Sequence, residues 1–394
     1  MKAHNGNKSK SIGFLYDHYV MCIVGFILKG EIVNENNSVC SCVLWKVSKL
    51  FSCMAEFFRQ NPSVDFLIFT DISPKGYVLP SNVHFIPMSF EQLRERFQKY
   101  FDFKISLERP YKLCDYKPAY GEALQDYLHD YDFWGHCDID LIWGNIRHFV
   151  TDELLNQYDR ICNQGHCSIY RNSPRVNSLY RTLDPHGCYD WHEVYSNDRN
   201  YAFDEYGTVN EDGSGGGISL IMERAGERIF SKWLFYDVNV KHQDRFQIEL
   251  DDHEREESAE QVQKYLHRYY STDEEAEMQF FERNEEGLYL WYCKDGVIQS
   301  KEFLYVHFAK RVIQIPKGAI QSDNYLFLPP AKVKELTEPM PVSARLQQMQ
   351  KNNDAVRKYR LIAAIKKNKI VHFVIRAKNK AVRMTKSILY KNQK

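Results

Sequence analysis

Residues Tyr131–Asn145 read YDFWGHCDIDLIWGN. An apolar, aromatic run ends at Asp138, and a second acid, Asp140, follows two positions later. The run predicts a strand over Tyr131–Asp138. In α/β sheets, ligands bind outside the carboxyl ends of strands, so an acid pair there is a candidate site. Carboxylates one residue apart point the same way if the strand continues, and splay apart if the chain turns. Either arrangement offers oxygen ligands to a hard divalent cation. Solvated acids at a strand end give the same pattern.

Outward from this stretch, the pattern alternates. Val64–Thr70 (VDFLIFT), bounded by Asn61-Pro62 and Asp71, reads as a buried strand, and Asn82–Met88 as another. Ser89 opens a helix with Gln92 three residues on, a capping box. Ala119–His129, Thr151–Tyr158 and Ile218–Ala225 read as helical, and His166–Tyr170 and Phe303–Phe308 as strands. Gly287–Cys293 and Val297–Glu302 flank Lys294-Asp295-Gly296, a hairpin signal. Strands alternating with helices predict an α/β sheet. No internal repeat is found.

Two further groups carry chemistry. Tyr111–Glu122 (YKLCDYKPAYGE) places Lys112, Asp115 and Lys117 before the helix that feeds the Asp138 strand. Cations beside a metal-bound diphosphate neutralise the charge of a departing leaving group. The same residues read equally as surface charges at a helix start. Phe303–Arg311 (FLYVHFAKR) sets His307 inside an apolar strand, followed by Lys310 and Arg311. Imidazole is a natural third ligand for a Mn²⁺-type site, although a lone histidine there is more often a core residue.

Together these motifs resemble the GT-A-fold, nucleotide-sugar-dependent glycosyltransferases of bacterial capsule and lipopolysaccharide synthesis, over roughly residues 60–312. The resemblance rests on Phe69-Thr70-Asp71, on Lys112–Gly121 (KLCDYKPAYG), on the D-x-D of CDIDLIWGN and on YVHFAKR. It implies a GT-A-like mixed sheet flanked by helices. It also implies that Asp138, Asp140 and His307 hold Mn²⁺ or Mg²⁺. Asp71, Lys112, Asp115, Lys117, His166 and Lys310 would line the pocket for the nucleotide-diphosphate sugar. The N-terminus departs from the pattern. Met21–Leu28 is the single candidate for the opening strand, and a polar stretch follows before the helix-like Val43–Phe58.

On the acceptor side, Asp204 and Glu205 follow Phe203 and are candidates for a general base toward a sugar hydroxyl. Gly213–Gly217 lacks the lysine of a phosphate loop and reads as a flexible loop, a candidate acceptor lid. The expected reaction moves a hexose to a saccharide or lipid-linked saccharide acceptor. Two other readings remain open: a nucleotidyl or sugar-phosphate transferase on the same metal cradle, and an inactive transferase-like binding protein.

Charge separates body from tail. The chain has 394 residues, with 52 Lys+Arg against 52 Asp+Glu, so its net charge is zero. Neutrality argues against a strongly basic nucleic-acid binder. It is nonetheless a cancellation: 17 bases and 3 acids lie from Ala331 onward, leaving 35 and 49 before it. A catalytic domain over 1–330 is expected, with an acidic insertion at 252–286, followed by a basic helical tail over 331–394. Residues 341–394, a basic stretch with Leu361, Ile362 and Ile365 at helical spacing, suit an anionic membrane surface. The longest apolar run, Tyr19–Leu28, is shorter than the ~20 residues a spanning helix needs. No secretory signal is expected. Ten scattered cysteines without zinc-type pairs are expected to be reduced thiols in a cytoplasm.

Overall fold

The computed structural model describes residues 20–26, 56–75, 79–138, 140–183, 187–207, 215–232, 234–238, 279–294, 297–308, 322–329 and 332–367. Lys310, residues 252–278 of the acidic insertion, most of Val43–Phe58, Gly213 and the tail beyond 367 lie outside them. The chain forms two compact units. One takes Asn61–Ile139 and Val150–Lys232 with the N-terminal strand; the other takes Ser52–Gln60, Asp140–Phe149 and Trp233–Lys394.

The first unit is a seven-stranded sheet with helices. Its strands are β1 (Val20–Phe26), β2 (Asp65–Thr70), β3 (Val83–Pro87), β4 (Phe133–Cys137), β6 (Arg160–Gln164), β7 (Cys167–Arg171) and β8 (Ile229–Phe230). They lie in the order β3-β2-β1-β4-β7-β6-β8. Both predicted strands before residue 90 are present, and β2 is buried on both faces, as its unbroken apolar run requires. Helix α1 (Phe90–Gln98) carries the predicted capping box, and its Leu93 and Phe97 enter the core. Trp134 on β4 stacks on Tyr170 of β7 with ring centroids 4.7 Å apart.

The α/β class is therefore present, but β1 and β7 each depart from an open doubly wound sheet, β7 running antiparallel to both β4 and β6. The order 3-2-1-4 is shared with such sheets. Here, however, β1 runs antiparallel to both β2 and β4, while β2 and β3 are parallel. Val20 at the start of β1 pairs with Thr70, and Ile23 pairs with His136. The amino end of β1 thus shares an edge with the carboxyl ends of β2 and β4. Cys167 pairs with both Cys137 and Gln164, which brings the Gly165-His166 turn to the same edge. Asp71, Asp138 and His166 all lie along it. Asp71 stands two strands from Asp138, about 10 Å by ordinary strand spacing.

The expected helix over Ala119–His129 is broken into Tyr120–Ala123 and Gln125–Leu128, because Leu124 leaves helical geometry at φ −118°, ψ 19°. Gly121 explains why no side chain is tolerated there. A Cβ would come within 2.6 Å of Asn177 Oδ1 and 2.7 Å of Trp134 Nε1, atoms that hydrogen-bond to each other.

The second unit holds two sheets. β5 (Leu141–Trp143), β13 (Tyr305–His307) and β9 (Phe235–Asp237) form one of three strands, in the order β5-β13-β9. β10 (Phe280–Arg283), β11 (Leu288–Lys294), β12 (Val297–Phe303), β14 (Asn324–Leu328) and β15 (Lys332–Leu336) form the other, in the order β12-β11-β10-β14-β15. β11 and β12 are the predicted hairpin.

The division expected at 330/331 falls inside the β14–β15 hairpin. The start of the basic segment belongs to this sheet. Met340 and Met349 pack with Phe280, Leu326 and Leu328. Buried Glu282 accepts from Met340 N at 2.9 Å and from Arg345. The basic segment is helical as expected, in α2 (Val342–Lys367). Met349, Asn352 and Val356 are buried on it, at three- and four-residue spacing. Beyond them Leu361 is 63% exposed and Ile362 42%. Among the described residues, no helix is long and apolar enough to cross a membrane. Cys114, Cys162, Cys167, Cys188 and Cys293 are free thiols. Cys137 is disulfide-bonded, which corrects the expectation that every cysteine is reduced.

Candidate functional site

In the first unit, the strand-end acid meets an internal cation. Asp138 follows β4, and its backbone N–H donates to His166 O at 2.8 Å. Lys117 Nζ donates to Asp138 Oδ1 at 3.0 Å and to Gly165 O at 2.6 Å, and pairs with Asp204 Oδ2 at 3.0 Å. Lys117 and Asp204 are buried, whereas the Asp138 side chain is 40% exposed. Burial opposes the ammonium charge. Asp138 and Asp204 outweigh it and hold Lys117 well above the ordinary lysine value. Burial pushes the Asp204 carboxyl up, and Lys117 pulls it part of the way back.

Lys112 and Asp115 do not line a pocket. Both are fully buried and 2.9 Å apart. Lys112 Nζ also donates to Val194 O and Arg199 O. Asp115 accepts from Tyr201 N at 3.1 Å and Phe203 N at 3.0 Å. One carboxylate drawing in two N–H groups around Ala202 leaves that residue at φ 51°, left-handed and strained for a side chain. From the other side, Ile218 N donates to Phe203 O and Ser219 N to Glu205 O. A Cβ on Gly217 would come within 2.5 Å of Glu205 O. Gly215–Gly217 is thus bonded into the fold rather than a loose lid, and the whole arrangement aims Asp204 at Lys117.

This changes the roles of the acid pair. Asp204 faces inward and is a partner of Lys117, not an accessible base. Glu205 is half-buried, and its Oε2 accepts from Gly165 N at 3.2 Å. Cys114 lies in the same electrostatic neighbourhood, and burial pushes its thiol up to about 12, which removes it as a nucleophile. Two neighbours were not singled out from sequence. Tyr111 is half exposed, and its hydroxyl pKa is raised by burial first and then by the charges of Cys114, Asp204 and Asp138. His136 is fully buried, and among the described residues neither ring nitrogen has a hydrogen-bond partner. Burial and the Lys117 charge hold it well below the ordinary histidine value. His166 is buried at the turn, and Asp71 is exposed.

In the second unit, His307 sits between two acids. It pairs with Leu141 on β5 and with Asp237 on β9. Its Nδ1 is 2.8 Å from Asp237 Oδ1, and its Nε2 is 3.5 Å from Asp140 Oδ1. Phe308 N donates to Asp140 O at 3.0 Å, fixing the strand start. Burial opposes protonation of the ring, but the two carboxylates outweigh it and hold His307 well above the ordinary histidine value. The donor set, carboxylate oxygens with one imidazole nitrogen, fits Mn²⁺ and is less suited to Mg²⁺, which prefers oxygen alone. Asp237 was missed because the three-residue strand Phe235–Asp237 is too short for a periodic signal.

Fold and site together define an α/β protein with an acid-rich strand end, one acid countered by lysine and the other by histidine. The chain belongs to the family of unknown function DUF6625, whose model matches residues 43–336. No curated protein and no solved structure matches it.

Proposed function

We propose that the protein is a metal-dependent glycosyltransferase that moves a hexose from a nucleotide-diphosphate sugar to a saccharide acceptor in cell-surface polysaccharide synthesis. The observation that carries this reading is the Asp138–Asp140 stretch after β4. Its second acid neighbours His307, and its first is 40% exposed while Lys117 holds one of its oxygens. Asp138, Asp140 and His307 are the proposed ligands of Mn²⁺ or Mg²⁺. Such an ion polarises a diphosphate leaving group. Lys117 supplies fixed positive charge behind Asp138, and Lys112 and Asp115 hold the segment that carries Asp204. Glu205 is the candidate base if the reaction inverts. Asp71 and Tyr111 are the candidates to meet the donor along the sheet edge. The GT-A form of the fold is part of the proposal, and the antiparallel β1 is its main departure.

The basic segment past Val356 is proposed to dock on the anionic inner face of a membrane, where a lipid-linked acceptor would be met. The exposed Leu361 and Ile362 beside an acid-free basic stretch support this.

Release of nucleoside diphosphate from a panel of nucleotide sugars with Mn²⁺, with and without acceptor, tests the reading. Asp138→Asn and Asp140→Asn are each expected to cut release at least 100-fold. Unchanged release in both would overturn the metal assignment. Release of pyrophosphate or a nucleoside monophosphate would favour a nucleotidyl or sugar-phosphate transferase.

A further inference from the structure

We propose that Asp237 is the positioning residue of the divalent-cation site, accepting the Nδ1 proton of His307 so that Nε2 faces Asp140 as the ligand nitrogen. This rests on the metal reading above and adds a residue which that reading does not assign.

The argument is geometric. The two nitrogens of an imidazole point to different sides of the ring, so one ring cannot offer both to one ion. The distances divide the roles. Nδ1 to Asp237 is 2.8 Å, a direct hydrogen bond. Nε2 to Asp140 is 3.5 Å, at the limit of a direct bond and of the size that two donor atoms keep across a shared cation. The backbone enforces the division. Asp237 lies directly opposite His307 in the parallel β9–β13 register, and Asp140 precedes Leu141, which is opposite His307 on β5. Val306 and Phe308 are buried on either side and clamp the strand. A histidine ligand commonly donates its remaining N–H to a carboxylate, which sets the tautomer and strengthens the ligand.

The experiment is Mn²⁺ binding to the full chain, followed through the electron paramagnetic resonance of free Mn²⁺. Asp140→Ala is expected to abolish binding. Asp237→Ala is expected to weaken it about 10- to 100-fold. Asp237→Asn keeps an acceptor for the Nδ1 proton and is expected to recover part of that loss. If the wild type takes up no Mn²⁺, the metal reading fails and this inference with it. If the wild type binds, Asp140→Ala does not, and folded Asp237→Ala binds as tightly as the wild type, this inference alone is overturned. Asn binding no better than Ala also overturns it, since the role would then be charge or direct ligation. Should Asp237→Ala not fold, nitrogen-15 spectra of the Zn²⁺-loaded wild type decide. The proton is expected on Nδ1 of His307 and the metal on Nε2; the reverse assignment overturns the proposal.

Discussion

Lys117 carries its charge where water does not reach, and the fold surrounds it with Asp138, Asp204 and a carbonyl oxygen. Such a cation is held only while its partners remain. Lys117→Met would leave buried Asp204 without a counter-charge, a change that typically costs about 3–5 kcal/mol. Urea unfolding should show that loss, and a variant as stable as the wild type would contradict the pairing. His136 gives a pH signature. Its folded value lies below the unfolded one, so the unfolded chain binds more protons as pH falls through about 6.5. Stability should therefore be full above that pH and decline below it. His136→Leu should flatten the decline in melting temperature between about pH 7 and 5; an equal slope in both proteins would refute the assignment. Residue types were legible at this scale, because Asp138, Asp140, Lys117 and His307 stand out in the sequence. Their directions were not. Asp115 looks like a pocket acid until its partners, backbone N–H groups at Tyr201 and Phe203, are known. Nothing local to Asp115 records those partners.

Among the elements, long apolar strands and the capped helix were readable because their signals are local. β4, β7 and α1 fall where expected. β15 was read as tail because Lys332–Leu336 is charged, which is how an edge strand protects itself from pairing. β6 was obscured by a bulge, where Cys162 takes φ 57° and the register with β7 shifts. The direction of β1 had no sequence signal at all, since an apolar run reads the same in either orientation. The hairpin of β14 and β15, with Met349 and Val356 buried on α2, also determines where the chain can be cut. Ending it at Pro330 would strip a strand and its covering helix from the five-stranded sheet. Ending it at Arg360 would leave both.

For the whole molecule, the charge asymmetry now has a location. Arg345 is bonded to buried Glu282 of the five-stranded sheet, and most of the basic excess lies further along the chain. Residues 361–394 hold ten Lys/Arg and no acid. A chain ending at Arg360 should fold and keep donor turnover but lose binding to vesicles rich in anionic lipid, as read by co-sedimentation. Wild-type binding should weaken as salt rises. Equal vesicle binding by the truncated chain would remove the membrane reading. Neutrality of the whole chain concealed this division, which emerges only when the charges are counted along the chain.

Because Lys117 already offsets part of the charge of Asp138 and Asp204 from within, the fold of the first unit does not depend on a divalent ion to hold its acids. A chelator should therefore strip the protein without unfolding it: in EDTA it should still melt cooperatively, at a temperature lowered only by the binding free energy of the lost ion. Loading and unloading would then be reversible on one folded preparation, with the lysine acting as a permanent placeholder for part of the positive charge.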